Sequence, residues 1–101
     1  MLRDQHNFWV QCVVAITVII FGLLLKISTA EWLFISLSIG FVLAAEVFNS
    51  AIEKLVDLVS PDFNERAGLI KDMAAGAVLI AAITSAIIGL IIFIPRILQL
   101  L

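Results

Sequence analysis

Residues 44–77, AAEVFNSAIEKLVDLVSPDFNERAGLIKDMAAGA, decide how this chain folds. They carry most of the charged side chains of a protein that is 63% hydrophobic and only 14% charged, whereas a soluble domain is roughly half apolar and a quarter charged. On either side, the charge-free runs 7–25 and 73–95 are each long enough to cross a bilayer, which takes about 20 residues. The composition therefore predicts an all-α membrane protein.

We place three transmembrane helices at about 8–25, 32–59 and 64–95, in a single domain that covers residues 1–101. Ser28 or Thr29 can cap the second helix, and Asn64 can cap the third. The second helix should end at Ser60, because the residue before a proline disfavours the α conformation. Pro95 is expected to close the third.

The charges indicate how the chain sits in a membrane and which partners it lacks. With three spans, the N-terminus and the connection over residues 54–72 lie on one side, together with four of the six basic residues. This bias predicts that both are cytoplasmic. A net charge of −2 gives no reason to expect nucleic acid, and a single Cys12 supports neither a disulfide nor a thiolate metal site.

Polar residues on the second helix recur in steps of three and four, which places them on one face. Glu46 lies about two turns inside the expected membrane boundary, and an ionisable residue there is a functional hypothesis by default. Asn49, one turn further on, can orient Glu46 or a substrate hydroxyl. Structural hydrogen bonding between helices is the alternative interpretation for both residues.

The end of this face and the start of the third helix suit phosphate chemistry. Glu53 and Asp57 form a like-charge pair that costs stability unless a cation lies near it, and their carboxylates suit Mg²⁺, which also takes substrate phosphates as ligands. Lys71 can neutralise phosphate, and Asp72 can hold a metal or orient the lysine. The alternatives are a solvated acidic face and a lysine that reaches the membrane interface.

Two segments carry a resemblance to a known family. The pattern Glu46-x-x-Asn49-Ser-Ala-Ile-Glu53-x-x-x-Asp57, followed by Lys71-Asp72-Met-Ala-Ala-Gly-Ala-Val-Leu, resembles the prokaryotic diacylglycerol kinases, and the similarity covers nearly the whole chain. It is strongest to the branch common in Gram-positive bacteria, some of whose members phosphorylate undecaprenol. The resemblance implies a lipid kinase of the bacterial inner membrane that transfers the γ-phosphate of MgATP to the hydroxyl of diacylglycerol or undecaprenol.

It also implies a homotrimer with three transmembrane helices per subunit and active sites shared between subunits. By matching position, Glu46 resembles the catalytic base that meets the lipid and Asn49 its essential neighbour, while Glu53 resembles a ligand of Mg²⁺ and ATP. Lys71 and Asp72 resemble nucleotide-binding residues, and we group Asp57 with them. Asp62, Phe63 and Asn64 fall where the interhelical connection of the family meets ATP, and Ala75 falls at a position that lines the lipid site.

Two features depart from the family pattern. Gln5 stands where the family has its second metal-binding glutamate, and a neutral amide lacks the charge that holds Mg²⁺. The chain also begins where the amphipathic surface helix of the family should end, so this helix is expected to be missing. A non-catalytic or partner-dependent homologue is therefore a second hypothesis. A small proton-coupled transporter that uses Glu46 is a third, although a transporter needs no phosphate-binding cluster.

Overall fold

The computed structural model describes residues 2–62 and 64–101, with side chains from Phe8 onward, so Phe63 lies outside it. The described residues form three α-helices, α1 (Leu2–Leu25), α2 (Thr29–Val59) and α3 (Glu65–Leu100), and no strand. Each helix is long and apolar enough to cross a membrane. The predicted all-α membrane fold with three spanning helices is thus confirmed.

The helix ends follow the local signals in the sequence. Ser28 and Glu31 form a capping box, in which the Glu31 N–H donates to Ser28 Oγ at 3.2 Å and the Ser28 N–H donates to Glu31 Oε1 at 2.8 Å. Asn64 Oδ1 accepts from the N–H groups of Arg66 and Ala67 at the start of α3. Both predicted caps form, and α2 ends at Val59, before Ser60 and Pro61.

Helix α3 does not end at Pro95, as the sequence had led us to expect, but continues to Leu100. A proline removes one N–H and crowds the carbonyl four residues earlier, which usually breaks a helix in water. Neighbouring helices can support a proline within a membrane helix. Here the next residue, Arg96, forms an ion pair with Glu31 of α2, which links the C-terminal part of α3 to α2.

The buried core lies at the end of the bundle where α1 turns into α2. Ile27, Ile35 and Ile92 are buried there, and Trp32 packs against them. A Cβ on Gly22 would lie 2.7 Å from the Trp32 ring, so only glycine lets α1 approach this side chain. Trp32 therefore packs within the bundle, and it lies near the start of α2, where an aromatic side chain suits the membrane interface.

Elsewhere the large apolar side chains point outward, as a bilayer requires. The molecule measures 55 × 21 × 20 Å, so its long axis is the length of α3, about 54 Å for 36 residues. Helix α2 packs mainly on α3, and α1 contacts both less closely. The hydrocarbon of a membrane is about 30 Å thick, so both ends of the bundle extend beyond it.

Candidate active site

Glu46 is the one acidic side chain among the described residues that is buried, at 8% exposure. It lies 14 residues beyond Trp32 on α2, a rise of about 21 Å, and therefore within the hydrocarbon thickness. Gln11 of α1 donates from Nε2 to Glu46 Oε1 at 3.5 Å. A buried carboxylate needs such a partner, and here it comes from the first helix.

Asn49 lies one turn beyond Glu46, as the spacing predicted. Its Oδ1 is buried and has no hydrogen-bond partner among the described residues. Such an atom is uncommon in a folded protein and requires an explanation. Asn49 therefore offers an unused acceptor next to Glu46, whereas the hydrogen bond to the Glu46 carboxylate comes from Gln11.

A cavity of about 290 Å³ runs between the three helices from Gln11 toward Phe93. We call it the interhelical groove. Its walls are mainly aliphatic, and two serines interrupt them: Ser85 Oγ donates to the Ser38 carbonyl at 3.2 Å, while the buried Ser38 Oγ has no described partner. The groove can hold a hydrocarbon chain, and Gln11 joins its wall to the carboxylate of Glu46.

A charged cluster lies further along α2 than Glu46. We call it the Lys71 cluster, and it consists of Glu53, Asp57 and Lys71. Lys71 of α3 donates from Nζ to Asp57 Oδ1 at 2.5 Å, and the Glu53 carboxylate attracts the same ammonium group. Lys71 is therefore one cation that lies near the Glu53 and Asp57 pair. Asp57 lies 11 residues beyond Glu46, a rise of about 16 Å along the helix, so the cluster and Glu46 are separate parts of one face.

Other predicted site residues do not join this arrangement within the single chain. Asp72 and Ala75 are exposed on α3. The backbone carbonyl of Asp62 accepts a hydrogen bond from Ser60 Oγ at 3.4 Å, and the Asn64 side chain caps α3. The side chain of Gln5 lies outside those that the structure describes.

A metal ion would find few protein ligands here. Within the described part of the chain, no group of three or more His, Cys, Asp or Glu side chains is placed to hold one. Mg²⁺ in phosphate-transfer sites commonly takes only one or two carboxylates and completes its coordination with phosphates and water. Glu53 and Asp57 fit that kind of site, and a fully protein-bound metal does not fit these residues.

One contact at the site and one at the other end of the bundle were missed at the level of sequence. Gln11 was treated as part of an apolar run, although an amide in an otherwise apolar helix was a visible signal of a buried polar contact. Arg96 pairs with Glu31, and no partner was predicted for it from the sequence. The separation of 65 positions between these partners leaves no local spacing that could have revealed the ion pair.

Comparison with known proteins places these residues in a family context. The profile of the family described as prokaryotic diacylglycerol kinase matches residues 1–93. The chain is 43% identical over 94 residues to an undecaprenol kinase of Bacillus subtilis, covering 93% of this chain and 76% of that one. It is 36% identical over 98 residues to a diacylglycerol kinase of Synechocystis, covering 96% and 56% respectively. No solved structure matches the chain significantly.

Proposed function

The chain belongs to the prokaryotic diacylglycerol kinase family, and from this premise we propose that it is a membrane lipid kinase that transfers the γ-phosphate of ATP to a lipid hydroxyl. The observation that carries the proposal is the buried Glu46 carboxylate beside an apolar groove, on the same helix as the Lys71 cluster. A lipid substrate has one polar hydroxyl and long hydrocarbon chains, and this arrangement offers a partner for each part.

In the reaction that we propose, Glu46 accepts the proton of the lipid hydroxyl. The hydroxyl oxygen forms a bond to the γ-phosphorus of ATP while the bond from phosphorus to the ADP oxygen breaks. Phosphoryl transfer needs mainly positioning and charge neutralisation. The unused Asn49 Oδ1, beside Glu46, is suited to accept a hydrogen bond from a bound ligand.

The Lys71 cluster would hold the phosphates. Lys71 supplies positive charge as a compact ammonium group, and Glu53 would bind Mg²⁺ together with the nucleotide. The metal would neutralise charge on the phosphate oxygens. Asp72, Asp62 and Asn64 are assigned to the nucleotide, and Ala75 to the lipid, by family position alone.

We further propose that the protein lies in the bacterial inner membrane with this cluster on the cytoplasmic side, where ATP is available. The basic residues near this end support the orientation. We also propose a homotrimer with shared sites, on the resemblance to the family alone. In it, residues such as Asp72 that lack a described contact could face a neighbouring subunit.

The test is transfer of labelled phosphate from MgATP to diacylglycerol and to undecaprenol in mixed micelles. The wild type should phosphorylate at least one of them, and the preferred lipid names the substrate. Glu46→Gln removes the proton acceptor while keeping the shape of the side chain, so we expect the rate to fall by about 100-fold or more. Glu65→Gln, an exposed change at the start of α3, is the matched control and should retain activity.

Phosphorylation of neither lipid by a folded wild-type oligomer would reject the kinase proposal and favour a non-catalytic homologue. If wild type and Glu46→Gln were equally active, the kinase proposal would stand, but Glu46 would not be the proton acceptor.

A further inference from the structure

Gln11 is the only described side chain that forms a hydrogen bond with Glu46. It comes from α1, the helix that contacts the rest of the bundle least, and the two residues are 35 positions apart. Gln11 also lines the interhelical groove. The contact therefore lies at the point where the apolar walls of the groove meet the buried carboxylate.

The hydrogen bond from Gln11 is suited to orienting Glu46 as a catalytic base. A glutamate has three rotatable side-chain bonds and two equivalent oxygens, so burial alone does not fix where the carboxylate points. An amide N–H on Oε1 restrains the carboxylate and leaves Oε2 available for a proton. The amide carries no charge, so Gln11 can orient Glu46 without neutralising it.

We infer that Gln11 is a positioning residue that holds the Glu46 carboxylate toward the lipid hydroxyl at the end of the interhelical groove. The inference rests on the proposed function for its consequence in catalysis. The alternative role for Gln11 is purely structural, as a polar link between α1 and α2. The two roles predict different kinetics, because a structural link acts on stability and a positioning residue acts on the rate of the chemical step.

The decisive variant is Gln11→Leu. The leucine side chain still fills the groove with a similar volume, but it lacks the N–H donor. We expect kcat to fall by about 10- to 100-fold, since a small misplacement of a reacting group can cost this much. The KM for MgATP should stay unchanged, because the nucleotide cluster lies further along α2. Gln99→Leu deletes the same amide from an exposed position on α3 and should leave kcat and KM unchanged.

A double-mutant cycle separates positioning from structure. Glu46→Asp shortens the side chain and withdraws it from Gln11, so adding Gln11→Leu in that background should have little further effect on kcat. Additive losses would overturn the inference. A fall in kcat that is matched by a fall in the unfolding temperature would also overturn it, and would assign Gln11 to the structural link.

The contact itself can be observed without any activity. The chain contains three glutamines, at 5, 11 and 99, so labelling with ¹⁵N-glutamine gives three side-chain amide signals by NMR. The signal that Gln11→Leu deletes should shift in Glu46→Met, which removes the acceptor without adding a glutamine, and the Gln99 signal should not. An unmoved Gln11 signal would overturn the contact, whereas a shifted signal in a protein that phosphorylates no lipid would reject the kinase proposal alone.

Discussion

The positive charge of Lys71 alters the electrostatic environment of two acidic neighbours. Glu53 and Asp57 on α2 repel each other as an i, i+4 pair, and the Lys71 ammonium on α3 offsets that repulsion. The ion pair is substantially open to solvent, with 36% exposure for Lys71 and 64% for Asp57. In the proposed kinase, the same ammonium group must also meet the phosphates of ATP, so Asp57 and the nucleotide share it.

Substitutions at this ion pair should therefore have unequal effects. Lys71→Met removes both the phosphate partner and the ammonium group beside Asp57, and we expect the KM for MgATP to rise by about tenfold or more. Asp57→Asn keeps an oxygen ligand for Mg²⁺ and weakens only an exposed ion pair, and exposed ion pairs contribute little, so KM should change much less. Initial rates over a range of MgATP at saturating lipid measure both. A larger rise in Asp57→Asn than in Lys71→Met would contradict the assignment of Lys71 to phosphate.

Helix α1 depends on one close approach to the rest of the bundle. Its Gly22 packs against the ring of Trp32. The side chain of Ile27, in the turn between α1 and α2, lies beside the same glycine. In a membrane, small residues allow helices to pack closely where no hydrophobic effect drives them together. Because α1 contributes Gln11 to the site, this packing at one end of the helix helps to hold the side chain that meets Glu46.

Gly22→Ala tests the importance of this approach. The added methyl group would sit 2.7 Å from Trp32 Cη2, and overpacking of this kind typically costs about 1 to 3 kcal/mol of unfolding free energy. Gly40→Ala is the matched control, because a Cβ there meets nothing within 4 Å, and it should cost no stability. Equilibrium unfolding in mixed detergent micelles, followed by tryptophan fluorescence, measures both. Equal stability of the two variants would mean that the Trp32 ring moves freely.

On the scale of the whole molecule, the bundle has two different ends. The end that holds Ile27, Ile35 and Ile92 combines an apolar core, a capping box and the Glu31–Arg96 ion pair. The opposite end carries the Lys71 cluster and the partly exposed start of α3. Stability is thus concentrated at one end and the candidate chemistry at the other, and Glu46 lies between them.

Glu31→Gln should lower the stability of the bundle without lowering its activity. The substitution weakens both the capping box and the ion pair, whereas Arg96→Gln removes only the ion pair. We expect both to lower the unfolding temperature, Glu31→Gln more than Arg96→Gln. Lipid kinase activity, assayed well below that temperature, should be unaffected in both. A loss of kcat in a variant that is still fully folded would show that the ion pair also influences the site.

Much of the fold could be predicted because its signals are local. The hydrophobic runs predicted the three spanning helices, and Ser28, Asn64 and Pro61 predicted where helices begin or end. Pro95 was misjudged because the cost of a proline depends on what supports the helix around it, and that support includes the distant pairing of Arg96. The polar face from Glu46 to Asp57 was predictable from the helical repeat alone.

The sequence by itself thus determined which residues are chemically capable and which helix carries them, because composition and periodicity act over a few residues. Only the tertiary structure decided which of them meet. It paired Glu46 with Gln11, Asp57 with Lys71 and Glu31 with Arg96, contacts that span 35, 14 and 65 residues. Contacts over such distances depend on how α1 and α3 lie against α2, and no spacing along the chain encodes that arrangement.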